Sequence, residues 1–449
     1  MRMQLEASHF GLVTTRHIIV AFAFAFSLFS LIMCREAWGE DRENVTKEIQ
    51  ELRQQMETMQ KKLDELEQKN KELEGEAKKQ KEEKELEKAI SQPSPPKPEV
   101  GGFVKGLVQS LNPDISALGI FAAAYFSKNP PAPQLAETDP ANTGVNLQEF
   151  ELGFQGVVDP YFRADSFITF TLDSVGVEEA YMTTLSLPFN LQIRAGKMRS
   201  KFGKINLQHT HVQDFVDIPL PNGTFIKGEL SPVGVEFNYL LPLPWYAELS
   251  ASINSPEGEG PTFVRSSNAN NIGLLLYTAN LTNFFELSDA LSVSVIGSFA
   301  TGSNGTDTDN RSTVYDGTLF IKYRPLKNSS YQTVKLQSEF MLRQATIAQG
   351  SFHDWGAYAY ILDRFAQRWD AGFRFDFVNS NKQFPSEQPG ELFPAQKEYR
   401  YSALLRFSPS EFSRLELQYD FYNPSFRSNF NAVFLQFQYA IGAHGAHPF

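Results

Sequence analysis

One cluster of basic side chains in this 449-residue sequence could recognise a ligand. It lies within the stretch LQIRAGKMRSKFGKIN and comprises Arg194, Lys197, Arg199, Lys201 and Lys204. In the low-dielectric bore of a pore, guanidinium and ammonium groups on the wall attract anions. The alternative is that they are ordinary polar residues facing water, or lysines at the level of lipid headgroups. The cluster predicts a pore constriction or solute-binding site, provided that these residues line a pore.

Two histidines follow this cluster closely and could bind a metal ion. His209 and His211 are separated by one residue, and Asp214 follows within the same polar stretch. Imidazole nitrogens and carboxylate oxygens are both suitable ligands for Zn²⁺. However, histidines at this spacing are common on loops that hold no metal. We therefore keep His209, His211 and Asp214 as weak metal candidates and predict no cofactor.

The rest of the composition disfavours several classes of protein. The sequence has no nucleophile elbow and no phosphate-binding glycine loop, so we expect no enzyme. It contains 41 Lys and Arg against 52 Asp and Glu, and the net charge of −11 disfavours nucleic acid as a partner. A single cysteine cannot form a disulfide framework. The 39 Phe and 16 Tyr indicate either a large aromatic-rich β protein or a multidomain soluble protein.

Residues 1–39 have the layout of a secretory signal peptide. Arg16 precedes an uncharged apolar run at 18–33, and the small residues Ala37 and Gly39 mark a cleavage site. The alternative is an uncleaved signal anchor, because the apolar run is slightly long. Cleavage after Gly39 removes the only cysteine of the chain.

Residues 41–90 predict an α-helical coiled coil. Apolar residues recur at spacings of four and three from Val45 to Leu73, with Lys, Glu and Gln between them. Asn70 falls on a core position, where a buried amide fixes register and strand number. The alternative is a solitary charged helix, whereas a coiled coil implies a homo-oligomer. Residues 91–111 are rich in proline and predict an extended linker that leads into the next domain.

From about residue 112 to 449 the hydrophobic period changes to two. Phe150, Leu152 and Phe154, for example, alternate with polar residues, which is typical of strands with different environments on their two faces. About sixteen such segments can be placed, near 116–126, 147–157, 162–172, 177–187, 191–198, 232–241, 246–254, 271–279, 291–300, 314–324, 333–343, 355–364, 369–377, 399–408, 412–421 and 431–441. A soluble β-sandwich would show the same alternation, so the period alone does not decide between the two.

The connections between these segments distinguish a barrel from a sandwich. Short links, such as 158–161 and 242–245, alternate with long polar ones, such as 127–146 and 199–231. Short turns at one end and long loops at the other characterise outer-membrane barrels. The link near 173–176 is short where this alternation requires a long one. The sequence therefore predicts an all-β fold, an antiparallel transmembrane β-barrel of about sixteen strands that follows the signal peptide and the coiled coil.

Residues 112–449 resemble the trimeric porins of Gram-negative bacteria, of the phosphate-selective type. The likeness is carried by LQEFELGFQGVVDPYFRADSFITF, which begins at Leu147, and by RAGKMRSKFG at residues 194–203. The chain also resembles porin-like proteins labelled zinc-regulated outer-membrane receptors. The resemblance implies a homotrimer that contacts outer-membrane lipid and passes small, anionic solutes. It also implies that the longest connection folds into the lumen. The sequence departs from the family in lacking an obvious arginine ladder, which leaves phosphate itself in doubt.

These features predict a passive outer-membrane channel for small hydrophilic solutes. The basic cluster adds the hypothesis that the channel prefers anions. One alternative is a structural tether, in which the coiled coil contacts the cell wall and the pore is incidental. Another is a metal-related, receptor-like protein of the outer membrane. The sequence has no globular plug between the coil and the first strand, which makes the receptor label weaker than the porin resemblance.

Overall fold

The computed structural model describes one part of the chain, namely residues 113–128, 136, 139–255, 262–264, 272–304, 306–307, 309–326, 331–347, 350–380 and 395–442. The predicted signal peptide (1–39), coiled coil (41–90) and linker (91–111) lie outside the described residues and stay predictions. Among the helices of the described residues, none is long and apolar enough to cross a membrane.

Sixteen antiparallel strands form one closed barrel, in which each strand pairs with its neighbours in sequence and β1 pairs with β16. The strands are β1 (Asp114–Phe126), β2 (Gly144–Asp159), β3 (Phe162–Phe170), β4 (Val175–Thr184), β5 (Leu191–Lys197), β6 (Val233–Leu240), β7 (Tyr246–Ser255), β8 (Leu276–Ser288), β9 (Leu291–Ser303), β10 (Arg311–Tyr323), β11 (Thr333–Ile347), β12 (Gly350–Ala366), β13 (Trp369–Ser380), β14 (Gln396–Ser410), β15 (Ser413–Pro424) and β16 (Phe430–Gly442). The predicted all-β fold and the antiparallel barrel are confirmed.

The links between strands mostly alternate in length, but two links on the side of the long loops are exceptionally short. Residues 198–232 connect β5 to β6, whereas two residues connect β8 to β9. The link from β3 to β4, residues 171–174, is short on the side of the long loops, as the sequence indicated. The second exception is the link from β11 to β12, because these two strands stay paired as far as Ile347 and Gly350. Long strands take the place of a loop there.

Apolar side chains cover the outside of the barrel, and polar side chains line the inside. On β15 the outward positions are exposed and the inward ones are fully buried. The outward residues are Leu415, Leu417 and Tyr419, and the inward residues are Glu416, Gln418 and Asp420. A sheet surrounded by water buries its apolar face instead. An outward apolar face fits a barrel surrounded by lipid.

The longest described connection, residues 198–232, folds into the barrel, and we name it the inward loop. It contains two short 3₁₀ turns, Ile205–Leu207 and Thr210–Val212, and one α-helix, α1 (Leu220–Ile226). The helix ends where Lys227 adopts a left-handed backbone conformation with φ of 53°. An apolar cluster joins the loop to the wall, formed by Phe202, Leu220, Phe225, Ile226 and Leu230 of the loop together with Ala136, Phe263, Leu276, Ala300, Val314, Met341 and Val378.

The apolar outer face predicts that the effect of an added charge depends on its height along the strand. Leu417 lies at the middle of β15 and is 48% exposed. We expect Leu417→Arg to lower the free energy of unfolding by about 2–4 kcal/mol, because the charge would lie at the midplane of the lipid. The matched control is Leu287→Arg at the end of β8, which should cost about 0–1 kcal/mol. Urea unfolding in lipid vesicles measures both, and equal costs would contradict a lipid-spanning face.

Candidate functional site

Hydrogen bonds to widely separated strands fix the inward loop to the barrel wall. Three backbone N–H groups of the loop donate to wall side chains, namely Gly203 to Oγ of Ser298 on β9 (2.9 Å), Val216 to Oε1 of Gln418 on β15 (2.9 Å) and Leu220 to Oδ1 of Asp376 on β13 (3.2 Å). Leu220 is the first residue of α1, where a backbone N–H has no partner within the helix. These contacts place the loop across the lumen.

Asp217 anchors the inward loop to three strands of the wall. Its carboxylate accepts hydrogen bonds from Arg374 at 2.7 Å, from Gln418 at 2.8 Å and from Arg400. Asp376 accepts a hydrogen bond from Nε of each arginine at 3.0 Å. Burial alone would raise the pKa of Asp217, but the charges of Arg400 and Arg374 outweigh burial and hold that pKa below its usual value. Two guanidinium groups and two carboxylates therefore form one buried set of ion pairs.

Three of the five predicted site residues each lie against a carboxylate. The ion pairs are Arg194 with Glu236 (2.7 Å), Arg199 with Glu178 and with Glu229 (2.6 Å), and Lys201 with Glu248. Burial would lower the pKa of Arg199, but the charges of Glu229 and Glu178 outweigh burial and raise it. This pairing reduces the positive charge that the predicted cluster presents to a solute.

Lys197 corrects the prediction that all five basic residues line the pore. In β5, Arg194 lies opposite the buried Glu236, whereas Lys197 lies opposite the exposed Val233. Successive side chains of a strand point to opposite faces, so two positions three residues apart face opposite sides. The Nζ of Lys197 donates a hydrogen bond to the backbone carbonyl of the exposed Val177 at 2.6 Å. Lys197 therefore belongs to the outer face of the barrel.

Lys204 is buried inside the barrel among other lysines. Its Nζ lies 4.4 Å from the ring centre of Phe320. Burial and the nearby charge of Lys335 lower the pKa of Lys204 to about 8. Lys322 lies directly opposite Lys335 in the pairing of β10 with β11. We name Lys204, Lys322 and Lys335 the lysine group, and it gathers positive charge at the end of the lumen where β10 and β11 are linked.

His209 is held between two glutamates of the wall. Its Nδ1 lies 2.8 Å from Glu151 and its Nε2 lies 2.7 Å from Glu179. The Phe167 ring packs edge-on against the imidazole, with 4.7 Å between the ring centres. Burial would lower the pKa of His209, but the hydrogen bonds to both carboxylates outweigh burial and raise the pKa to about 10. Both ring nitrogens contact a carboxylate, so the protonated imidazole of His209 balances part of the negative charge of these glutamates.

The three weak metal candidates are not brought together as one ligand set. Among the described residues, the acidic side chain that lies within ligand range of both His209 and His211 is Glu151, not Asp214. Asp214 instead forms an ion pair with Lys335 at 2.9 Å. Burial would raise the pKa of Asp214, but the charge of Lys335 contributes most to holding it well below its usual range. The inclusion of Asp214 among the metal candidates is thus corrected.

A group of arginines on the wall went unpredicted from the sequence. These lumen-facing residues of β11, β13, β14 and β15 are Arg343, Arg374, Arg400, Arg406 and Arg414, each with a carboxylate partner. Buried carboxylates lie among these arginines, and a second set lies on β2, β3, β4 and β6, namely Glu151, Asp165, Glu178, Glu179 and Glu236. In a closed ring of sixteen strands these two groups face each other across the lumen. The signal for the arginines was present in runs such as Phe373-Arg374-Phe375, where a charge alternates with aromatic residues.

A β-bulge crowds two consecutive glutamates onto the lumen wall beside His209. Between β3 and β4, Phe167 lies opposite Glu179 and Ile168 lies opposite Val177, so Glu178 is an extra residue. Both Glu178 and Glu179 are buried. A regular strand places only one of two consecutive side chains inside, so a period of two could not predict this pair.

A closed barrel with one long connection folded across a charged lumen defines the structural class of this protein. No family model matches the chain. An uncharacterized protein of Aquifex aeolicus (strain VF5) is 30% identical over 346 residues, which cover 68% of this chain and 70% of that protein. This chain belongs to the same family as the Aquifex protein.

Several solved structures share the fold at low sequence identity. OprB of Pseudomonas putida, at high pH, has a TM-score of 0.53 at 9% identity and covers 76% of this chain and 97% of its own. The outer membrane channel DcaP of Acinetobacter baumannii has a TM-score of 0.51 at 14% identity, with 74% and 98% covered. The anion-selective porin from Comamonas acidovorans has a TM-score of 0.50 at 9% identity, with 73% and 100% covered. At such identities the likeness shows the barrel fold alone.

The anchoring role of Asp217 predicts a large effect of its removal. Asp217→Ala leaves Arg374 and Arg400 to share Asp376, so a buried positive charge loses its partner. We expect the free energy of unfolding to fall by about 3–5 kcal/mol. The matched control is Asp289→Ala in the exposed turn between β8 and β9, which should change it by about 0.5 kcal/mol or less. If chemical unfolding gives similar values for both variants, Asp217 does not anchor the loop.

Proposed function

We propose that this protein is a passive channel of an outer membrane for small hydrophilic solutes. One observation carries the proposal, a closed barrel with an apolar outer face and a charged inner wall. Such a wall lets water and polar solutes cross a bilayer by diffusion, which needs no catalytic residue and no cofactor. The resemblance of residues 112–449 to porins and the fold shared with an outer membrane channel support this function.

The lysine group favours anions among these solutes. Lys204, Lys322 and Lys335 gather on neighbouring parts of the wall and the inward loop, and Asp214 neutralises one of these charges. Fixed charges of one sign in a low-dielectric bore raise the local concentration of the opposite ion. Arg194, Arg199 and Lys201 contribute less to this preference, because each already has a carboxylate partner.

Channel function predicts a steady conductance in planar lipid bilayers. The purified full-length chain should produce stepwise current increases as single proteins insert, and the current should rise with salt concentration. In a salt gradient the reversal potential should shift toward the value for the anion. An absence of current in several salts would contradict the channel and favour the structural tether. A shift toward the cation would contradict only the anion preference.

The lowered pKa of Lys204 predicts that anion preference depends on pH. Because the pKa is about 8, Lys204 is protonated at pH 7 and loses its charge as the pH rises toward 9. We therefore expect the anion-to-cation permeability ratio to fall between pH 7 and 9. Lys204→Met should start from a lower ratio at pH 7 and stay flat over this range. Lys227→Met changes an exposed lysine of the same loop and should behave as the unaltered chain does, whereas a persistent pH dependence in Lys204→Met would assign the titration elsewhere.

We also propose a homotrimer with its coiled coil in the periplasm, on the side of the short links. The heptad pattern of residues 41–90 and the resemblance to trimeric porins support this arrangement. Deletion of residues 41–90 tests whether the barrel walls or the coiled coil hold the trimer together. If the barrel walls hold the trimer, native mass measurement in detergent should still give three chains. Dissociation to single barrels would assign the assembly to the coiled coil.

A further inference from the structure

Three glutamates of the wall converge beside the inward loop. Glu149 and Glu151 lie on β2, Glu178 lies on β4, and β3 runs between these two strands. One carboxylate oxygen of each glutamate lies within 4.8 Å of those of the other two. Glu151 and Glu178 are buried and Glu149 is half-buried. Three acidic groups thus share one small volume on the lumen wall.

Two oxygen atoms of this group have no hydrogen-bond partner among the described residues. They are Oε2 of Glu178 and Oε1 of Glu149. The Glu178 side chain is only 6% exposed, and its other oxygen is taken by Arg199. Its Oε2 lies 3.5 Å from Nδ1 of His209, within ion-pair range but without a hydrogen bond, and the side chain belongs to the converging set of three glutamates. A buried carboxylate oxygen without a partner costs free energy, which a bound cation would recover.

The charges around this space do not balance. Counting Glu179, four carboxylates share one guanidinium, that of Arg199, and one imidazole, that of His209. Arg199 also pairs with Glu229, so its charge is divided further. With the four buried or half-buried carboxylates ionised and the partly exposed Glu229 left out, the formal excess is two negative charges, which equals the charge of one divalent cation.

The ligand atoms select the class of cation. Both ring nitrogens of His209 are engaged by Glu151 and Glu179, which leaves carboxylate oxygens as the ligands that the group offers. Oxygen ligands suit Ca²⁺ and Mg²⁺. Ca²⁺ accepts irregular geometry and six to eight ligands, whereas Mg²⁺ requires a near-ideal octahedron. Carboxylates drawn from two strands that are not neighbours favour the more tolerant ion.

We propose that Glu149, Glu151 and Glu178 bind one Ca²⁺ ion, which joins β2 to β4 beneath the inward loop. The loop covers the site from the lumen side, because Thr210 donates a hydrogen bond to Glu149 at 3.3 Å and His209 contacts Glu151. The ion stabilises both the barrel and the contacts between the inward loop and the wall. This inference does not rest on conduction, because binding is measured on the protein in detergent.

Calorimetric titration of the full-length, chelator-treated protein with CaCl₂ tests the site. We expect one ion per chain with a dissociation constant of about 10⁻⁴–10⁻³ M, as in extracellular calcium modules. Saturating Ca²⁺ should also raise the thermal unfolding midpoint, since a ligand that binds the folded state stabilises it. The variant Glu149→Gln/Glu151→Gln/Glu178→Gln should lose both effects. The matched control Glu248→Gln changes a glutamate that pairs with Lys201 and should keep both.

The single variant Glu149→Gln provides a second test if the triple variant does not fold. Glu149 is half-buried, so its substitution leaves the Arg199 and His209 ion pairs in place, and we expect calcium binding to weaken at least tenfold. The absence of saturable Ca²⁺ binding up to about 10 mM, above the range of known modules, would overturn the proposal. Equal stabilisation of the triple variant and the control would do the same. Preferential binding of Zn²⁺ that His211→Ala abolishes would also overturn it, because the ligands would then be Glu151, His209 and His211.

Discussion

Pairing of β1 with β16 is the constraint on which the rest of the structure depends. Backbone N–H and C=O groups at the depth of lipid have no water to bond, so every strand needs a partner on both sides. The ring is closed by a continuous antiparallel register from Ser116 opposite Gly442 to Phe126 opposite Ala432. Once the ring is closed, each side chain of a strand faces either outward or into the lumen. The alternation of side chains along each strand therefore decides which charged residues lie in the lumen.

The inward loop supplies the counter-charges that this arrangement requires. Its first half carries Arg199 and His209, which lie against the carboxylates of β2 and β4. Its middle carries Asp214 and Asp217, which lie against cations of β11, β13 and β14. Removing a charge from water is expensive unless a partner is close. The inward loop thus carries cations where β2 and β4 present carboxylates, and carboxylates where β11, β13 and β14 present cations.

The sequence predicted the barrel well because lipid and water impose a simple alternation on every strand. All sixteen segments were found, and the link at residues 171–174 was recognised as short. The site was predicted less well, since pairing between distant residues leaves no local trace. Arg194 and Glu236 are neighbours only because β5 and β6 pair, and Asp214 meets Lys335 only because the loop crosses the lumen. Lys197 was assigned to the wrong face. It is close to Arg194 in sequence, but the two residues are three positions apart in one strand, so their side chains face opposite sides.

The extra residue in β4 has a consequence for how such a chain can change in length. An insertion within a regular strand turns every later side chain to the opposite face, so apolar residues would enter the water and charges would enter the lipid. The bulge confines that shift to Glu178, and pairing resumes with Glu179 opposite Phe167. Related chains can therefore differ by one residue in β4 while the strand pairing of the wall is kept. Loss of that residue would alter the charge of the lumen by one unit without replacing any amino acid.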